Sequence, residues 1–206
     1  MTNSSDTTMV SACLARLRAG DAAARTDLLT LATERLRRLA RKMLRGQFDR
    51  VGRWDDSGDV AQEATIRLWK ALGDVVPESP LHFHRLAARA VRLVLLDEAR
   101  RYFGPQGLGA NYESRVAPGP GDVTASPNPG DPVAPTNDPT RGMEWADLHT
   151  LVQGLPDDEG AVTDLLFYQG LTQEDAADLL GVDVRTVQRR WQRARRKLGA
   201  LLSAEE

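Results

Sequence analysis

The stretch that decides the fold reads Leu171-Thr172-Gln173-Glu174-Asp175-Ala176-Ala177-Asp178-Leu179-Leu180-Gly181-Val182-Asp183-Val184-Arg185-Thr186-Val187-Gln188-Arg189-Arg190-Trp191. Thr172 suits the N-cap of a first helix, with acids in the first turn to complement its dipole. Gly181 permits a sharp turn, and Asp183 can cap a second helix. Ala176 and Ala177 are small where two helices must approach closely. Val187, Trp191, Ala194, Leu198 and Leu201 then recur at i, i+4, i+7, i+11 and i+14, an apolar stripe that packs the second helix down. Its opposite face carries Arg185, Gln188, Arg189, Gln192, Arg193 and Arg196. This pattern is a helix-turn-helix whose second helix is suited to a DNA major groove. The alternative, a solvated arginine-rich face, is disfavoured because solvated faces usually mix both signs, and this one is wholly positive.

Upstream, three more segments repeat at helical spacing. Leu28, Ala32, Leu36, Leu39 and Met43 form one stripe, opposite Arg35, Arg37, Arg38, Arg41 and Lys42. Val60, Ala64, Leu68 and Ala71 form a second, closed by Gly73 and a Pro77–Pro80 turn. Phe83, Leu86, Ala87, Ala90, Val91, Val94 and Leu95 form the strongest, running up to Gly104. A shorter helix over 10–19 ends at Gly20-Asp21, and two more are expected over 145–154 and 160–169. Strand-like alternation is absent, so the expected fold class is all-α: two small helical domains joined by a flexible linker. The N-terminal one is a three- or four-helix bundle.

Composition supplies the boundaries. Residues 104–142 hold eight Pro and seven Gly in 39 positions, too few apolar groups to offset the entropy of ordering, so they are read as a linker. Residues 10–103 and 143–206 are then the two domains, and the Ser/Thr-rich 1–9 a disordered N-terminus. The formal net charge of −2 hides an asymmetry: 10–103 carries 18 basic against 12 acidic residues, and 145–206 carries 7 against 11. All seven of those basic residues fall within 185–197. The 206-residue chain contains no apolar run longer than four, so no membrane span is expected. With one cysteine, Cys13, neither a disulfide framework nor a cysteine zinc site can form, and a reducing cytoplasm is the expected compartment. His82 and His84 sit two apart, a poor metal pair on a helix, and no nucleophile–base or phosphate-loop motif stands out. The chain reads as a non-enzyme needing neither metal nor cofactor.

Asp59-Val60-Ala61-Gln62-Glu63-Ala64-Thr65-Ile66-Arg67-Leu68-Trp69, followed by Phe83-His84-Arg85-Leu86-Ala87-Ala88-Arg89 and Leu95-Leu96-Asp97-Glu98-Ala99-Arg100-Arg101, resembles region 2 of the sigma-70 family of bacterial transcription initiation factors. The helix-turn-helix, with Thr186-Val187 and Arg193-Ala194-Arg195, resembles region 4 of that family. Two such regions without regions 1 or 3 are similar to the extracytoplasmic-function (ECF) group. Where that family often has Trp and Asn, this chain has Leu86 and Leu93.

The resemblance implies minus-35 contacts from Arg185, Thr186, Gln188, Arg189, Arg190, Gln192, Arg193 and Arg196. It implies minus-10 contacts from Arg85, Arg89, Arg92, Arg100 and Arg101, with Asp97 and Glu98 as their internal partners. Asp59, Gln62, Glu63 and Arg67 would dock the clamp helices of the largest subunit of core RNA polymerase. Read without the family, those four are an ordinary helix face, with Asp59 as a cap and Glu63 paired to Arg67 at i, i+4. Trp69 and Trp191 are expected in the core. The implied partners are core RNA polymerase and promoter DNA, with an anti-sigma factor as an optional third and no membrane. Two other readings stay open at this point: an autonomous helix-turn-helix regulator, and a non-enzymatic interaction protein with a sigma-like fold.

Overall fold

A computed structural model of the protein describes residues 3–47, 57–103 and 139–204. These form α1 (Asn3–Arg18), α2 (Ala23–Gln47), α3 (Ser57–Asp74), α4 (Pro80–Phe103), α5 (Pro139–Gln153), α6 (Asp157–Thr163), a π-helical turn (Asp164–Tyr168), α7 (Gln173–Leu180) and α8 (Val184–Ala204). No strand occurs among the described residues, so the fold is all-α.

The first four helices bury their stripes against one another. Val10, Cys13 and Leu14 of α1 meet Leu28 and Ala32 of α2, Leu68 and Leu72 of α3, and Phe83, Ala87 and Ala90 of α4. Gly20 turns the chain at a φ of 89°, and Asp21 Oδ1 accepts the Ala23 N–H at 2.9 Å to start α2. Arg16 bridges both Asp21 and Asp27 at 2.7 Å, fastening the α1–α2 corner.

Three details of the sequence reading are corrected. The first helix begins at Asn3 instead of Val10. Serine and threonine do not break a helix already nucleated by buried Val10 and Leu14, and each further residue adds a backbone bond. Secondly, α5 begins at Pro139, so 139–142 are helix and not linker; proline suits a first helical turn. The rest of the linker, 104–138, lies outside the described residues. Thirdly, Arg35 is buried and does not belong to the opposite face: it stands at i+7 from Leu28 and i+3 from Ala32, on the side of the apolar stripe itself.

The C-terminal helices have their own core, in which Val162, Leu165, Leu171, Ala176, Ala177 and Val187 are buried and Trp191 is half-buried against them. A larger apolar cluster joins the two parts of the chain. It contains Leu36, Val60, Ala61 and Ala64, then Ala88, Val91, Val94 and Leu95 of α4, and Val152, Tyr168 and Leu198 from beyond the linker. The small side chain of Ala88 lets α5 lie close along α4, and Leu148, Leu151, Leu155 and Phe167 flank that seam half-buried. Helix α4 therefore serves both cores.

Candidate nucleic-acid and polymerase interface

The helix-turn-helix is set by local chemistry. Thr172 and Asp175 form a reciprocal capping box at the start of α7, and Gly181 ends it in the left-handed region at φ 63°. Asp183 caps α8, accepting the Thr186 backbone N–H and the Thr186 hydroxyl, each at 2.8 Å. Those bonds from Thr186 hold the Asp183 carboxyl below its ordinary range. The Thr186 hydroxyl is thus spent on the cap.

Burial of Val187, Ala194 and Leu198 fixes the roll of α8 and leaves Arg185, Gln188, Arg189, Gln192, Arg193 and Arg196 exposed. Gln188 donates to Gln173 Oε1 at 2.9 Å, tying the second helix to the first without covering the face. Arg190 points elsewhere and pairs with Asp158 at 3.3 Å. Lys197 pairs with buried Glu159 at 2.8 Å, pinning α8 onto α6.

On α4, Arg85, Arg89 and Arg92 recur at i, i+4 and i+7 and share one face. Arg89 is exposed, but its two neighbours are covered from the C-terminal part. Arg85 meets Asp157 at 2.6 Å and Asp164 at 3.8 Å, and Arg92 meets Asp164 at 2.7 Å. The Arg92 guanidinium also lies 5.5 Å from the centre of the Tyr168 ring. Burial pushes the Asp164 carboxyl above its ordinary value, with Arg92 and Arg85 acting in the opposite direction. Tyr168 shares a 2.7 Å hydrogen bond with His149 Nδ1, and burial lowers the His149 pKa from the ordinary 6.5 to about 4. His84 and Gln169 meet across the same seam at 3.4 Å. Farther along α4, Arg100 is exposed and Arg101 pairs with Glu98 at 3.7 Å.

On α3, Asp59, Gln62 and Glu63 are exposed, while Arg67 bridges Glu63 at 3.0 Å and Asp97 of α4 at 2.8 Å. Trp69 is not in the core: it is 51% exposed, with the Arg25 guanidinium 4.8 Å from its ring centre. Leu68 and Leu72 lie on the buried stripe, and Trp69, one residue on from Leu68, is turned away from it. Ile66 is exposed on the same helix.

The residues that sequence reasoning missed are the partners on the C-terminal side: Asp157, Asp164, Tyr168 and His149. The signal was an acid heading an apolar run, Asp164-Leu165-Leu166-Phe167-Tyr168, because a carboxylate in such a run must find a cation.

A family model described as ECF sigma factor matches residues 7–204. RNA polymerase sigma factor CnrH of Cupriavidus metallidurans is 30% identical over 154 residues, covering 73% of this chain and 75% of that relative. No helix among the described residues is long and apolar enough to cross a membrane. With an all-α architecture, a helix-turn-helix displaying an arginine face, and a family match over nearly its whole length, the chain belongs to the ECF sigma factor family.

Proposed function

We propose that this sigma factor docks core RNA polymerase through the polar face of α3, reads the minus-35 element with α8, and engages the melted minus-10 strand with α4. In this division, 10–103 serves polymerase and the minus-10 element, and 143–206 serves the minus-35 element. The observation that carries the reading is the α8 face, where six exposed residues, four of them arginines, stand with no acid among them. Arginine reads guanine edges bidentately and glutamine pairs with adenine, so Arg185, Gln188 and Arg189 near the N-terminal end of α8 suit base contact. Arg193 and Arg196 lie farther along and suit phosphate. The cap duty of Thr186 and the Asp158 partner of Arg190 leave those two as supports of the helix.

On α3, Asp59, Gln62 and Glu63 offer acceptors and an amide to a partner helix, and Arg67 is held between two acids. Charge-assisted bonds of this kind orient a helix–helix dock. Exposed Ile66 and Trp69 add apolar area on that helix, in keeping with the aromatic anchors of protein interfaces. The test is reconstitution with core RNA polymerase on a bank of promoter fragments. Promoter-specific transcripts that are lost in a Gln62→Ala/Glu63→Ala variant are the expected result. No transcript from any promoter, with the purified protein folded, would contradict the reading.

A further inference from the structure

We infer that Arg25 of α2 is a positioning residue for the polymerase dock: it clamps the exposed Trp69 indole in one orientation, so that α3 presents a rigid aromatic anchor. The inference rests on the proposed docking face of α3, and it assigns a role to a residue of a different helix that acts only through Trp69.

Gln62, Ile66 and Trp69 stand at i, i+4 and i+7, so the polar and apolar parts of the dock share one face. An exposed indole on a helix would ordinarily move among several rotamers. Arg25 removes that freedom from two directions. Its guanidinium lies 4.8 Å from the ring centre, and its Nη2 donates to the Trp69 carbonyl oxygen. One planar cation thus holds both the side chain and the backbone of the same residue. Tryptophan is the aromatic that attracts a cation best, and a guanidinium can stack on the ring while it donates, which an ammonium cannot.

Gly73, four residues after Trp69, completes the clamp by what it lacks. It lies inside α3 and its φ is not positive, so the backbone there makes no demand for glycine. A Cβ at that position, however, would stand 2.9 Å from Arg25 Nη2. The empty space beside Gly73 is where the guanidinium rests. Ordering a rotamer-rich side chain at an interface costs binding free energy, and a ring held in place before the encounter avoids that cost.

The experiment measures the affinity of the full chain for core RNA polymerase, with thermal melting alongside. Trp69→Ala should weaken binding about tenfold or more, as aromatic anchors of interfaces do. Arg25→Met, which keeps the aliphatic stem, should weaken it about three- to fivefold. Gly73→Ala, which displaces the guanidinium, should weaken it about twofold, with a melting temperature unchanged or raised because alanine is the better helix former. A merely structural loss cannot give that combination, and this variant carries the test if Arg25→Met fails to fold. In a Trp69→Ala background neither second change should weaken binding further. In the free protein carrying 5-fluorotryptophan, the resonance missing from Trp69→Phe should shift and sharpen in Arg25→Met and in Gly73→Ala. Full losses from both changes in the Trp69→Ala background would overturn the inference, because Arg25 would then act by itself. Wild-type affinity in both single variants, or an unmoved Trp69 resonance, would overturn the clamp while leaving the dock in place. Undiminished affinity in Trp69→Ala would instead remove the ring from the dock, and the inference with it.

Discussion

Helices α4 and α8 each carry a row of arginines at helical spacing, yet the two rows have opposite fates. On α8, Arg185, Arg189, Arg193 and Arg196 stand exposed on a face defined by the burial of Val187, Ala194 and Leu198 opposite them. On α4, the opposite side of the helix is already buried in the N-terminal bundle, and on the arginine side Arg85 and Arg92 are engaged by α6 and the π-helical turn while Arg89 stays exposed. Periodicity decides which residues share a face. Whether that face meets solvent depends on elements more than seventy residues away in sequence, as the Arg92–Asp164 pair illustrates. An arginine row is therefore an open face in one helix and a partly covered one in the other.

The comparison can be broken most forcefully at Arg92. Arg92→Ala strands a buried Asp164 carboxylate and should cost about 3–5 kcal/mol of stability in denaturant unfolding. Arg193→Ala on the exposed row should stay within about 0.5 kcal/mol. Comparable losses at both positions would erase the distinction. Within α8, Arg189→Ala should cost about 1–3 kcal/mol of binding at one base position of the minus-35 element in the polymerase complex. Arg196→Ala should instead weaken all sequences alike and lower the salt slope by roughly one unit. Equal losses for every minus-35 variant would remove Arg189 from the specificity set.

The covered side of α4 also carries a pH signature. His149 is held neutral by burial, with Arg92 adding to the effect, so its folded pKa of about 4 lies below the ordinary 6.5. The unfolded chain therefore takes up its proton first as the pH falls. The stability this group contributes is complete above pH 6.5 and is lost progressively down to about pH 4. Between pH 6.5 and pH 5 the loss attributable to His149 should be about 1.5 kcal/mol. Burial raises the Asp164 carboxyl, which runs with the opposite sign, so the difference between the wild type and His149→Gln isolates the histidine. Equal pH slopes in the two proteins would contradict the buried neutral imidazole. The smallest effect is expected at the turn that presents α8. Thr172→Ala removes one arm of the capping box and should cost about 1 kcal/mol in thermal unfolding, with minus-35 sequence preference retained.

The parts of the fold legible in the sequence were those governed by local chemistry. The helix-turn-helix followed from Thr172, Gly181 and Asp183, and all three act in the structure as caps or turn. The stripes of α3 and α4 predicted their buried faces because a 3.6-residue period leaves little choice of side. The exposure of a candidate face was legible only where one helix defines it, as on α8. Arg85 and Arg92 could be placed on a shared face, but nothing in a linear reading couples them to Asp157 and Asp164 across the linker. Trp69 was misjudged for a related reason. Aromatic character argued for the core, while its register beside Leu68 and its contact with Arg25 of α2 put it on the surface.

The most direct measurement is a footprint of one promoter by the free protein and by the protein with core RNA polymerase, at matched salt and saturating concentration. The account predicts that the free protein protects at most the minus-35 element, through the open face of α8. With polymerase, protection should extend to the minus-10 element, and its bases should become reactive to a single-strand probe. Protection or melting of the minus-10 element by the free protein would contradict it, because α4 would then engage that element without polymerase.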